Sequence, residues 1–180
     1  MIAIKQTITR RGLNIDAQTW RGMIAQAWED TAQFWYVKIL PKHFTEAGKK
    51  EYGYAPRQKA TPRRTKDGKY RGTRDGYETR KFRKYGHRKP LVLTGEMQRS
   101  IMRIMDIKGT LKSGKIALHG PKYLYMYRKD IREINKAKEL STISEKDANL
   151  CAKQLDASLM QQVKAHKHAI RIGQGHRQSA

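Results

Sequence analysis

Between Trp20 and Ile39 the apolar residues recur at spacings of three and four: Trp20, Met23, Ile24, Ala27, Trp28, Thr31, Phe34, Trp35 and Ile39. That period predicts one long amphipathic helix with a broad buried face. Asn14 or Asp16 is placed to cap its start. Pro41 ends it after Leu40, since proline lacks an N–H and disfavours helix at the residue before it. All three tryptophans of the chain fall in this run. Their helical spacing assigns them to filling a core, where each buries roughly 150–250 Å², rather than to stacking on bases. The helix is the spine of whatever the chain folds into.

The next stretch has the opposite character. Residues 45–89 are rich in Gly, Lys, Arg and Tyr and poor in aliphatic side chains. They contain Arg57, Lys59, Arg63, Arg64, Lys66, Lys69, Arg71, Arg74, Arg80, Lys81, Arg83, Lys84, Arg88 and Lys89, opposed after residue 57 only by Asp67, Asp75 and Glu78. The reading is a long basic loop, because a segment this length without core-forming residues is functional or disordered. Its tyrosines and Phe82 give anchoring points, and full order is expected only in an assembly. The whole chain carries 39 Lys and Arg against 16 Asp and Glu, a formal net charge of +23. Such a field repels further copies unless a polyanion or an acidic partner neutralises it. Nucleic acid is the expected counter-charge, met through phosphates without sequence readout. Tyr70, Tyr77 and Tyr85 could stack on single-stranded bases or pack at a protein interface.

Order is expected again from Pro90. The run LVLTGEMQRSIMRIMDI has an apolar start and a break at Thr94–Gly95, followed by a turn of helix or the start of a strand. Ile101–Ile107 and 115–119 alternate well enough to pair as a β-hairpin, with turn residues at Lys108–Gly109 and Ser113–Gly114. Tyr123–Tyr127 could add a strand, and Ile2–Thr9 a strand or an ordered arm. Ser144 with Asp147 three residues on reads as the N-terminus of a second long helix, from Glu145 to about His168. Ala148, Cys151, Ala152, Leu155, Leu159 and Val163 share one face of it. Acidic residues gather at its start, and Lys164, His166 and Lys167 at its end, as the helix dipole favours. A loose basic tail at about 169–180 follows. The fold class is α+β: a single domain over 1–180 with two long helices packed on a small antiparallel sheet and a long basic loop.

Chemical motifs do not emerge. There is no H-E-x-x-H, and His166 and His168 project about 200° apart on a helix, which is poor for one ion. The acids are too sparse and too embedded in positive charge for a metal-dependent nuclease. No G-x-S-x-G elbow occurs, and Gly72, Gly76 and Gly86 match neither a Walker loop nor a dinucleotide fingerprint. Cys151, the single cysteine, lies on a predicted apolar helix face and reads as a buried, inert thiol compatible with a reducing compartment. The opening residues MIAIKQTITRRGLNID lack the apolar run of a signal peptide, and no stretch approaches the ~20 apolar residues of a membrane span. The expectation is a non-enzymatic protein made in a cytoplasm, with no metal, cofactor or membrane partner.

The order of features resembles a known family. The tryptophan-rich helix leads into LPKHF, then EYGYAPR, then the basic stretch, then KPLVLTGEMQRSI. This is similar to the tailed-phage virion-morphogenesis family of neck or tail-completion proteins, with its P-L-x-x-T-G-x-x-x-x-S-I element at Pro90, Leu91, Thr94, Gly95, Ser100 and Ile101. Leu140, Ile143, Ser144 and Asp147 resemble that family's approach to its last helix. The likeness covers about residues 18–163. It departs from relatives in the sequence YMYRKDIREINKAKE before that helix and in the strong charge of 57–89. What the resemblance implies is an α+β virion subunit of the head–tail junction, made in the host cytoplasm. It would form a homo-oligomeric ring around the DNA channel and join head to tail. Its partners would be further copies of itself, neighbouring connector or tail proteins, and packaged DNA held by non-specific electrostatics. The alternative from charge and tyrosine content is a free, non-sequence-specific nucleic-acid-binding protein.

Overall fold

The computed structural model describes residues 15–57, 59–92, 95–103, 105–125 and 135–177. The expected strand or arm at Ile2–Thr9 lies outside them, as do Asn14 and Thr94. The protein is α+β, with helices and two separate two-stranded antiparallel sheets. Its internal contacts divide it into two compact units: residues 1–40, 105–118 and 143–180 in the first, and residues 41–104 and 119–142 in the second.

The first unit is built on helix α1, Ala17–Phe34. Asp16 caps it in an extended conformation, its carboxylate accepting from the Gln18 and Thr19 amides at 2.9 Å each. Hydrogen bonding to the charged form, from the Thr19 side chain foremost and then from the Thr19 and Gln18 amides, holds the Asp16 carboxyl below its usual pKa. Trp20, Met23, Ile24, Ala27, Thr31 and Ala32 are buried along one face, as the three–four spacing requires. The α-helix does not run straight to Leu40. It widens into a π-helical turn at Trp35–Ile39 and then tightens into a 3-10 turn at Leu40–Phe44. Trp35, Tyr36, Ile39 and Leu40 stay buried through this change of pitch.

Strands β3 (Met105–Gly109) and β4 (Gly114–Leu118) form a hairpin in continuous register from Met105 opposite Leu118 to Gly109 opposite Gly114. The turn is fixed by Thr110, whose amide donates to the Ser113 carbonyl at 2.9 Å and whose Oγ1 accepts from the Ser113 amide at 3.1 Å. The Gly109–Gly114 pair meets the backbone of α1. A Cβ on Gly109 would stand 1.8 Å from the Ala25 carbonyl oxygen, and one on Gly114 2.5 Å from that of Trp28. Only hydrogen fits there.

Helix α7, Glu145–Arg177, covers another side of α1. Ser144 forms the expected cap: its Oγ accepts from the Asp147 amide at 3.2 Å and donates to Asp147 Oδ2 at 2.9 Å. Ala148, Cys151, Leu155, Ser158 and Val163 are buried. Ile15, Trp20, Met23, Ile24 and Val163 form a core cluster, with Trp28 and Leu159 against it. Each large apolar side chain so buried contributes about 2 kcal/mol. Two expectations are corrected here. Helix α1 is the layer that carries both the hairpin and α7, in place of two helices side by side on a sheet. The backbone also stays helical to Arg177, beyond the predicted end near His168; no proline stops it, and Gly173 and Gly175 lie within the helix.

In the second unit, α2 (Glu46–Glu51) is capped by Thr45, whose Oγ1 accepts from the Gly48 amide at 3.1 Å. Strands β1 (Thr61–Arg64) and β2 (Tyr70–Arg74) make the second hairpin, and α3 (Tyr77–Tyr85) follows. Residues 45–89 are therefore not one long loop. The chain continues through α4 (Glu96–Arg103), α5 (Lys122–Tyr125) and α6 (Lys136–Leu140). Ile101, expected to open a strand, is fully buried on α4 with Met97 one turn before it. Tyr123–Tyr125, expected in a strand, lie in helix. His43 stacks on Tyr52 with ring centroids 3.7 Å apart, and its Nδ1 lies 2.6 Å from the Tyr54 hydroxyl. Phe44, Val92, Leu124 and Leu140 are buried in the same unit. Burial, reinforced by the negative charge of Glu139, pushes the Tyr54 phenol far above its ordinary pKa.

Candidate interface: a basic ribbon and its supporting helix

The fourteen basic residues singled out between positions 57 and 89 fall into three environments. Two are internal. Arg57 forms a two-bond ion pair with Glu139, Nη1 to Oε1 at 3.0 Å and Nη2 to Oε2 at 2.7 Å. The two side chains are only 14% and 9% exposed. Glu139 Oε1 also accepts from the Ala55 amide at 3.2 Å, so one carboxylate fastens the 54–57 segment to α6. Lys81 is buried on α3; its ammonium donates to the Lys89 carbonyl and sits 5.6 Å from the centre of the Tyr77 ring. Burial, with the nearby Arg57 charge adding to it, lowers its pKa to about 8. Neither residue is available to an outside partner.

A second set surrounds α3. Arg83 pairs with Asp75, while Lys49 from α2 pairs with Glu78 at the start of the helix. The Arg88 guanidinium lies 5.1 Å from the Phe82 ring centre, and its amide donates to Glu46 Oε1 at 3.3 Å. The Lys84 ammonium lies 5.3 Å from the Tyr85 ring centre. Arg80, Arg83, Lys84, Arg88 and Lys89 are exposed. Gly86 ends the helix in the left-handed region at φ 71°, as a glycine past a helix end does. The helix is thus held by charge pairs and ring contacts rather than by an apolar face.

The third set is the β1–β2 ribbon. Every residue of its two strands is exposed except the half-buried Gly72. Its turn is closed by Thr65, whose amide donates to the Lys69 carbonyl at 2.9 Å and whose Oγ1 accepts from the Lys69 amide at 3.1 Å. Gly68 supplies the positive φ of 76° that the turn requires. The register runs Thr61 opposite Arg74, Pro62 opposite Thr73, and Arg64 opposite Tyr70, so that Arg71 and Gly72 together face Arg63. This is a β-bulge, with Gly72 at φ 94°. It places Tyr70 and Thr73 on one face, and their hydroxyls lie 2.7 Å apart. By the same register Arg63, Arg71 and Arg74 share the other face. Among the described residues Arg63, Arg64, Arg71 and Arg74 make no ion pair and no side-chain hydrogen bond. Lys59, Lys66 and Lys69 are exposed beside them.

The Pro90–Ile101 element sits in the same unit. Pro90 is buried and Ile101 fully so, Leu91 takes a left-handed backbone at φ 56°, and Gly95 does so at φ 80° just before α4. Ser100 is half-buried. Sequence reasoning missed Glu139 and Lys49, whose partners lie far along the chain and leave no local pattern. It also passed over Asp67–Gly68, a hairpin-turn signal plainly present in the ribbon.

No family model, no curated protein and no solved structure matches this chain. Among the described residues no group of three His, Cys, Asp or Glu side chains could hold a metal ion. No helix among them is long and apolar enough to cross a membrane.

Proposed function

We propose that this chain is a structural, non-enzymatic subunit of the tailed-phage head–tail junction, a neck or tail-completion protein that assembles with copies of itself into a ring around the DNA channel. The observation that carries the reading is the β1–β2 ribbon: a basic two-stranded arm exposed on both faces. A two-stranded hairpin alone is marginal in water, and a partner surface in an assembly would stabilise this one further. The likeness of Pro90, Leu91, Thr94, Gly95, Ser100 and Ile101 to the neck family's element supports the same reading. So does a formal charge of +23, which repels identical copies unless they gather around a polyanion. In this role the protein resides in the virion after synthesis in the host cytoplasm.

The test is genetic and structural together. Deleting the gene from its phage is expected to leave filled heads and tails that fail to join, and a tagged copy supplied in trans is expected to restore joining and appear at the neck. Normal infectious particles from the deletion would overturn the proposal. The second reading, a free nucleic-acid-binding protein, is favoured by the unpaired ribbon arginines. It predicts salt-sensitive DNA binding by monomers that never enter a particle.

A further inference from the structure

We infer that the ribbon face bearing Arg63, Arg71 and Arg74 is a contact surface for the phosphate backbone of duplex DNA. The inference rests on the junction reading only for where the DNA is met. The two open edges of the ribbon raise a competing occupant, a β-strand from another protein. Strand addition needs a row of free N–H and C=O groups and tolerates little edge charge. Here β1 carries Pro62, which has no N–H, beside Arg63 and Arg64, while the β2 edge is broken by the bulge at Arg71–Gly72. A second copy of the same ribbon is disfavoured again by like charge. What remains complementary is a surface dense in negative charge.

The bulge is the device that makes the face. In an unbroken ladder the side chain of Arg71 would not share a face with that of Arg74 three residues on. The extra residue at Gly72 restores the coincidence and brings both to the side of Arg63. Guanidinium groups present their donors as a planar fork that fits phosphate oxygens. Duplex DNA offers such groups at about one charge per 1.7 Å of axis, and its major groove, about 12 Å wide, admits a two-stranded ribbon. Arginine forks directed at phosphate oxygens position the ribbon on the duplex without reading sequence. Tyr70, the aromatic residue suited to stacking on single-stranded bases, projects from the opposite face with its hydroxyl tied to Thr73.

The experiment uses the full chain and a random-sequence duplex, with binding followed by fluorescence anisotropy across a salt series. The variant R63Q/R71Q/R74Q is compared with K112Q/K115Q/K153Q, which removes the same charge from exposed positions elsewhere, and with R63K/R71K/R74K. Loss of three phosphate contacts is expected to flatten the log K against log salt slope by about 2.7. The control triple is expected to leave the slope near that of wild type, and the lysine variant to recover most of it. Melting temperatures should match, since the substituted side chains are exposed. Equal slope changes in the ribbon and control variants would overturn the inference, as would tighter binding to a single strand than to the duplex. If the glutamine variant binds duplex as wild type does yet no longer joins heads to tails, the ribbon is a protein interface: the inference falls while the junction reading stands. If the slope behaves as expected but the wild-type protein never enters particles, the junction reading falls and the DNA face stands.

Discussion

Arg57 and Glu139 meet across 82 positions of sequence through paired hydrogen bonds of 3.0 and 2.7 Å. With so little solvent around them, removing one partner strands the other. Glu139→Gln is therefore expected to lower unfolding free energy by about 3 kcal/mol, read as a shift in denaturant midpoint. The double variant Arg57→Met/Glu139→Leu should restore most of that loss, because a well-packed apolar pair avoids the desolvation cost. A single substitution that leaves the midpoint unmoved would show that the pair is solvated.

Lys81 gives the protein a pH dependence of definite sign. Its folded pKa of about 8 lies below the ordinary 10.5 because burial penalises the ammonium. Between those values the unfolded chain binds more protons than the folded one, so stability rises with pH across that window. Below about pH 8 the full penalty of burying the charge is present. Urea midpoints of the wild type should climb from about pH 8 to about pH 10.5 relative to those of Lys81→Met, and parallel profiles would refute this origin.

Two glycines in the first unit should respond oppositely to alanine. Gly109 faces the Ala25 carbonyl so closely that a methyl group forces the β3–β4 hairpin off α1, at an expected cost of about 2–3 kcal/mol and with faster amide exchange in residues 105–118. Gly22 stands on exposed α1 surface with nothing within 4 Å of an added Cβ. There alanine should stabilise by about 0.5–1 kcal/mol through helix propensity alone. Calorimetric melting of the two variants checks both signs.

Ser144→Ala removes the Oγ that accepts from the Asp147 amide. The expected loss is about 1 kcal/mol, with fraying confined to the first turn of α7. Ser144→Asp should recover it, since an aspartate cap accepts the same bond; a fall in stability with both would mean that the hydroxyl matters chiefly as a donor to Asp147.

What could be read from the sequence followed the strength of the local signal. The face of α1, the Asp16 alternative for its cap and the Ser144 start of α7 were legible, because each rests on periodicity or on a side chain bonding its own backbone. The π turn at Trp35–Ile39 was not, since Thr31, Trp35 and Ile39 at spacings of four fit an α-helical face as readily as a wider one. Around Ile101 a helical and an alternating pattern fit equally well over a few residues, and the burial of Met97 and Ile101 one turn apart belongs to the helical one. In residues 45–89 the lack of aliphatics was readable, and it hid real order: a ribbon held by a Thr65 turn and a helix held by Lys49–Glu78 and Arg83–Asp75 need no apolar stripe. Of the candidate site, charge marked the region, but only folding separated the ribbon arginines from Arg57 and Lys81, which are spent on internal contacts.

The exposure of the ribbon uncouples two kinds of sequence change. Substitutions of the exposed strand side chains, Thr65, Gly68 and Gly72 aside, are expected to alter what the protein meets while changing its folding equilibrium little. Residues added in matched pairs flanking Asp67–Gly68 would extend the arm by about 3.3 Å per pair. Reach and charge can thus be retuned without redesigning the body that bears them.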